Sequence, residues 1–300
     1  MSRTLLVGSH TSSWREWVRD RARGRDVLIL DPADGSHGPP CRFVLLREGK
    51  AVEWAFAGAI DPTRDPIRTL AEASRLLGHC RAEVVVQLYG YRATPVGRHL
   101  NLAIAQIVKP DEILVADGTP LDLRGWPVGP QTIATEVGFP DLVQQAQRRA
   151  RWIELLDRSV EHAIDLRQIA IQGARLGSGI SVHLSELEPV LHAEVAGGSI
   201  LLVAPRDIGE GEISQAISFG HASRAHIVEP EAYAGLLVSF ARQDGEDFAL
   251  GILESIDFVS GIVRVKSPAV APAPVRILKF GGLRLDRSGK ELGEVKPWAV

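Results

Sequence analysis

Residues 4–30 read TLLVGSHTSSWREWVRDRARGRDVLIL, and this run has the make-up of one parallel-sheet unit. TLLV (4–7) is a short apolar run of the kind found in a strand buried on both faces. A loop of small residues follows, GSHTSS (8–13). WREWVRDRAR (14–23) then places Trp14, Trp17 and Val18 at i, i+3 and i+4, on one face of a helix. Gly24 is suited to cap that helix, and VLIL (27–30), ending at Asp31, reads as the next strand.

The pattern repeats outward from there. TLAEASRLLGHC (69–80) reads as a helix and EVVVQLY (83–89) as a strand; LNLAIAQIV (100–108) reads as a helix and EILVAD (112–117) as a strand. Strands alternating with helices predict a parallel sheet with crossover connections. Residues 118–140 are rich in Gly and Pro and read as a long loop at a boundary. LVQQAQRRARWIELLDRSVEHA (142–163) holds good helix formers and no Gly or Pro, which predicts a helix over its whole length. From Tyr233 the character changes. The β runs GLLVSFA (235–241), FALGILESIDF (248–258), IVRVKSP (262–268) and ILKFGGLRLD (277–286) lie beside the turn pairs Asp244-Gly245, Ser260-Gly261 and Ser288-Gly289. That spacing predicts a small antiparallel barrel or sandwich, with PAVAPAPV (268–275) as an excursion between strands.

The chain has 300 residues, 45% of them apolar and 24% charged, as in an ordinary globular protein. No run of about 18 apolar residues occurs, so no membrane span is expected. MSRTLLVGSH lacks the basic region, apolar stretch and cleavage site of a signal peptide. Cys41 and Cys80 have no metal-ligand spacing, and two reduced thiols in a cytoplasmic protein are expected. The net charge of −3 rules out a global basic field of the non-specific DNA-binding kind. Residues 177–300 hold 11 Lys and Arg against 16 Asp and Glu, so the remainder carries +2. Any nucleic-acid contact is therefore expected in the first half.

Four collinear stretches carry a family resemblance. DPADGSHGPP (31–40) is similar to a D-x-D-x-G-Q segment that runs on to Pro-Pro. VVVQLYGYRATPVGRHL (84–100) with IVKPDEILVAD (107–117) is similar to a strand, a Thr-x-Gly turn and the following helix and strand. IQGARLGSGISV (171–182) is similar to G-x-R-L-G-S-G-x-P-L. LGILESIDFVSGIVRVKSP (250–268) with ILKFGGLRLDRSGKELGEVKPW (277–298) is the closest match. Together they resemble the RNA-processing polynucleotide 5′-hydroxyl kinases, which include the kinase subunit of the mRNA 3′-end cleavage factor and the ribosomal-RNA processing kinases. The resemblance implies an α/β fold with a P-loop NTPase-like, mostly parallel sheet and flanking helices, a helical lid and a β-rich C-terminal domain. The division it implies is 1–140 for the P-loop-like core, 141–170 for the lid, 171–232 for a continuation of the core and 233–300 for the β-rich domain.

The departures from the family pattern fall on the chemistry. A working P-loop reads G-x-x-x-x-G-K-[ST]: the glycines let backbone N–H groups wrap the phosphates, the Lys neutralises their charge and the hydroxyl holds Mg²⁺. Counted from Gly8, Ser13 stands at the second Gly, Trp14 at the Lys and Arg15 at the hydroxyl. In the second segment Asp31 and Gly35 keep family positions, whereas Ala33 and Ser36 replace Asp and Gln. Gln87 and Leu88 replace the acid or amide and the Thr of the third. No catalytic residue is expected, with Asp31 as a remnant position and Gly8, Ser12, Ser13 and Arg15 as the remnant phosphate loop. Phosphoryl transfer rests on positioning and charge neutralisation, so these losses together predict an inactive relative, a pseudo-kinase that binds an RNA end or a partner protein, without cofactor or metal. Two alternatives stand. Arg15 in the Lys position with Ser12 or Ser13 hydroxyls would give an active ATP- and Mg²⁺-dependent kinase, and a purely structural subunit of an RNA-processing assembly is the other.

Other residues have two readings each. Asp31 and Asp34 are a paired acid site or, the favoured reading, turn chemistry. His10 and His37 meet at the carboxyl ends of strands or sit in exposed loops, the latter favoured. Arg148, Arg151 and Arg158, with Arg149 beside them, are a nucleic-acid-binding stripe through which RNA would bind, or a solvated face paired with Glu154, Asp157 and Glu161. GARLGSG (173–179) is an anion cradle or a structural turn. Trp126 and Trp298 stack on bases or cover a seam.

Overall fold

The fold is described from a computed structural model, covering residues 2–8, 18, 20–81, 83–88, 94–117, 119, 125–133, 141–184, 187–205, 207–268 and 275–299. The chain divides into two compact units, Met1–Trp152 and Ile153–Val300.

The first unit is a seven-stranded sheet. Its strands are β1 (Arg3–Val7), β2 (Asp26–Leu30), β3 (Arg42–Arg47), β4 (Lys50–Phe56), β5 (Val84–Leu88), β6 (Glu112–Ala116) and β7 (Gln131–Ile133), in the spatial order β4-β3-β2-β5-β1-β6-β7. The strands β2, β5, β1, β6 and β7 run parallel. In chain order these are the second, third, first, fourth and fifth of the parallel set. β1, β2 and β5 are buried almost throughout, which is why they read as unbroken apolar runs. Two helices cover one face: α1 (Pro66–Gly78) and α2 (Pro95–Val108). Leu76 of α1 and Leu100, Ile104 and Val108 of α2 join Leu5, Val7, Leu28 and Val86 in one core. Alternate residues of the same strands, Leu6, Val27, Ile29 and Val85, face the other way, against Val18 and Ala22. Each helix starts by the same device: Asp65 accepts from the Arg68 N–H and Thr94 from the Gly97 N–H, with Pro66 and Pro95 in the first turn.

A long helix, α3 (Asp141–Asp157), follows. It ends six residues before the expected boundary at residue 163, because Ser159–Asp165 is strand β8, paired along its full length with a strand of the second unit. Val160, His162 and Ile164 alternate with Glu161 and Ala163, a period of two, and cross-strand pairing overrides helix propensity there. The expected lid at 141–170 is thus a helix followed by a strand.

The second unit holds two sheets. One contains β8, β9 (Ala170–Gln172), β14 (Leu236–Ala241), β15 (Asp247–Asp257), β16 (Ile262–Pro268), β17 (Ile277–Leu285) and β18 (Glu291–Glu294), in the order β18-β17-β14-β15-β16-β8, with β9 parallel to β17. The β-rich expectation for 233–300 agrees with this. The other sheet is β10 (Ile180–Ser181), β11 (His192–Ala196), β12 (Ser199–Val203) and β13 (Arg224–Val228), in that order. β12 and β13 are parallel and joined by α4 (Glu210–Phe219). Among the described residues, the segment 171–232, expected to continue the first core, therefore adds no strand to the first sheet. Leu201, Val203 and Val228 share a core with Val238, Phe240 and Phe280 of the β-rich sheet, while Ile200 and Leu202 face the other way, with Ala216 of α4. Among the described residues no helix is long and apolar enough to cross a membrane.

Candidate functional site

The carboxyl ends of the parallel strands are where open α/β sheets hold ligands. The register sets Val7 and Leu30 on either side of Leu88, so Gly8 and Asp31 leave the sheet at one level. A Cβ at Gly8 would collide with the Ala116 Cβ on the neighbouring β6, so the packing of two strand ends requires glycine there. Ser12, Ser13 and Arg15 lie outside the described residues, as do Trp14, Trp17, His10, Tyr89 and Gly90.

Beyond Asp31 the chain folds into a tight loop. The Asp31 carboxylate is buried and accepts from the Ala33 N–H at 2.9 Å, and the Asp34 carboxylate accepts from the Ser36 N–H at 2.8 Å. Each acid accepts from the backbone N–H two residues on, as turn-forming Asp residues do. The Cys41 N–H closes the loop on the Pro32 carbonyl at 2.7 Å. Arg42 donates to the carbonyls of His37 and Pro39, lies over the Trp54 ring, and is drawn down to about 10 by burial. Gln87 is buried on β5, level with Leu6 and Ile29. A cavity of about 650 Å³ lies beside this loop, lined by Val27, Ile29, Leu46 and Gln87 of the sheet and by Ser36 and His37 of the loop.

The α3 arginines separate. Arg148 and Arg151 are half-buried on the side of the helix that carries Trp152, whereas Arg149 is exposed. Arg151 Nε donates to the Gly35 carbonyl at 2.9 Å, tying α3 to the loop that starts at Asp31. Arg158 is exposed and pairs with Glu154 at 3.4 Å, four residues back.

In the second unit the glycine loop 173–179 does cradle an anion, and that anion belongs to the protein. Glu194 on β11 accepts from the Gly177 N–H at 2.8 Å and the Gly179 N–H at 3.2 Å, and its other oxygen lies 2.9 Å from His192 Nε2. Sequence reasoning weighed the cradle and missed its occupant. Trp126 packs on the core of the first unit, and Trp298 is 51% exposed. His79 pairs with Glu53 at 2.7 Å, and burial pushes the Cys80 thiol up to about 12. Among the described residues no group of His, Cys, Asp and Glu is arranged to hold a metal.

The sheet order, with its five parallel strands and flanking helices, is that of a P-loop NTPase-like α/β core. No family model matches the chain. It is 24% identical over 294 residues to a polyribonucleotide 5′-hydroxyl-kinase of Thermococcus kodakarensis, spanning 90% of this chain and 83% of that one. It is 23% identical over 305 residues to the protein of the same name from Pyrococcus furiosus, spanning 91% and 83%. Among solved structures it resembles Clp1p in two complexes with Pcf11p, at TM-scores of 0.55 and 0.53 and identities of 12% and 11%, each covering 94% of this chain and 74% of the other. The chain is thus a relative of the RNA-processing polynucleotide 5′-hydroxyl kinases.

Proposed function

We propose that this chain is a catalytically inactive relative of the polynucleotide 5′-hydroxyl kinases that binds an RNA end or a partner protein. One observation carries the reading: where a P-loop needs Gly, Lys and a hydroxyl, the sequence supplies Ser13, Trp14 and Arg15. A positive charge on the β- and γ-phosphates and a hydroxyl on Mg²⁺ stabilise most of the charge that develops in phosphoryl transfer. Trp14 offers neither. The surroundings support the same reading, since the Asp31 carboxylate serves a turn and Arg151 engages the Gly35 carbonyl. For the first unit, the α3 arginines Arg148, Arg149 and Arg151 are the RNA-contacting residues under this proposal. A protein partner fits too, because the structurally similar Clp1p is described in complex with Pcf11p.

An active kinase with a substituted loop is the competing reading. The relatives' names favour it, since they denote a 5′-hydroxyl kinase and match along nearly the whole chain. Incubation with labelled ATP, Mg²⁺ and a 5′-hydroxyl oligoribonucleotide separates the two. No label transfer is expected. Robust transfer, abolished by Arg15→Ala, establishes the kinase and removes the proposal.

A further inference from the structure

Strand β13 is cationic at one end and apolar at the other. Arg224, His226 and Val228 alternate onto one face. Val228 is buried in the core shared with the β-rich sheet, but Arg224 is exposed and His226 half-buried. Arg224 Nε donates to Ser199 Oγ at 2.8 Å, across the β12–β13 pair. Arg175, from the loop after β9, donates from Nε and Nη2 to the Trp298 carbonyl at 3.1 and 3.0 Å. Lys296 Nζ stands 6.0 Å from the centre of the Trp298 ring, and that indole is half-exposed.

Cations at a protein surface usually find carboxylates. Among the described residues Arg175, Arg224 and Lys296 have no ion pair, and their hydrogen bonds go to a carbonyl and a hydroxyl, which leave the charge uncompensated. Glu194, nearby, is buried and engaged by the Gly177 and Gly179 amides and His192. The crowding has an electrostatic signature: desolvation and then the charges of Arg175 and Arg224 hold His226 below the usual imidazole range. The Tyr233 hydroxyl is buried without a hydrogen-bond partner among the described residues, with Glu194 and Arg175 as its charged neighbours. An arriving anion would relieve the repulsion.

We infer that this patch binds single-stranded polynucleotide, with backbone phosphates on Arg175, Arg224 and Lys296 and a base stacked on Trp298. Three features favour a strand over a small anion. The cations come from three separate segments on an open surface. The exposed aromatic side chain among them is an indole, and indoles stack on any base. Stacking on a side chain requires an unpaired base, so a duplex does not fit. The site lies in the second unit and needs nothing from the phosphate loop, so it goes beyond the proposed function. It also departs from the expectation that nucleic acid contacts only the first half. Residues 177–300 carry more acid than base, so binding there is local and falls steeply with salt.

The test is fluorescence anisotropy of a labelled oligouridylate with the full chain, at a series of potassium chloride concentrations. Arg224→Gln/Lys296→Gln replaces two exposed side chains and should leave the melting temperature unchanged. It is expected to flatten the slope of log K against log salt by about 1.4, at roughly 0.7 for each phosphate contact on a single strand. Trp298→Ala is expected to bind about tenfold more weakly with the slope kept, and Trp298→Phe to recover most of that loss. Both effects should persist in an Arg148→Ala/Arg151→Ala background, which separates this site from α3. Affinity and slope unchanged in the double variant overturn the inference. So does the absence of RNA binding by the parent at low salt, or base-free polyphosphate binding as tightly as RNA.

Discussion

Asp26 opens β2 at 1% exposure and receives the Arg47 guanidinium at 3.3 and 3.2 Å and the Arg81 N–H at 2.8 Å. Burial alone would raise its pKa, but the Arg47 and Arg81 hydrogen bonds outweigh it and hold the carboxyl below its usual range. A depressed carboxyl contributes stability above its unfolded pKa, near 3.9, and loses it as pH falls through the folded value. Asp26→Asn is expected to cost about 1–3 kcal/mol at neutral pH. The gap to the parent should narrow below about pH 4, where the parent's carboxyl is also becoming neutral. Urea titrations at neutral and acid pH check both halves. Neither this pairing nor the Glu194 cradle was legible in the sequence. Asp26 and Arg47 are 21 residues apart, on strands that the sheet register brings side by side, and Gly177 and Glu194 are 17 apart, a loop and a strand that only the folded chain brings together. The glycines of 173–179 announced a backbone able to surround an anion, and nothing local announced which one.

At the scale of elements, apolar runs made β1, β2, β5 and β6 readable, because a strand buried on both faces has no polar alternation to confuse with a helix. The hairpin β3–β4 went unread, although its turn carries a local signal: Glu48 and Gly49 both have positive φ, at 51° and 74°. A two-residue turn of that kind suits an antiparallel pair, and Gly supplies one of its two positions without strain. The boundary between α3 and β8 was hidden for the opposite reason, since good helix formers continue into a segment that tertiary pairing claims. α3 itself invites a test. Arg151 makes a hydrogen bond from it to the loop containing Asp31, Gly35 and Cys41. Arg151→Ala is expected to remove about 1 kcal/mol of local protection, which hydrogen exchange would read as roughly fivefold faster exchange of the loop amides, Cys41 included. Unchanged exchange there would mean that the loop's internal bonds alone hold it.

At the scale of the molecule, a P-loop-like sheet carries a loop whose sequence departs from G-x-x-x-x-G-K-[ST] at Ser13, Trp14 and Arg15. A ligand that binds only the native state raises its melting temperature by RT ln(1 + [L]/Kd) expressed as free energy. Millimolar ATP with Mg²⁺ is therefore expected to leave the melting temperature where it was. An upward shift that disappears in Ser13→Trp would put nucleotide back in the loop and confine the loss to catalysis. The fold class and the β-rich half of the second unit were legible because periodicity and turn pairs are local. The separate four-stranded sheet was not, because β12–α4–β13 has the same alternation as the first core and only long-range packing assigns it elsewhere. The contact between Gly8 and Ala116 bears on how such a chain can change over generations. The first glycine of the loop is required by two strand ends that lie close, a requirement that is the same whether or not nucleotide is bound. Positions 13, 14 and 15 answer to the ligand under the family pattern. Glycine at position 8 is therefore the mark of a packing requirement, and a chain can carry it with or without a phosphate to hold.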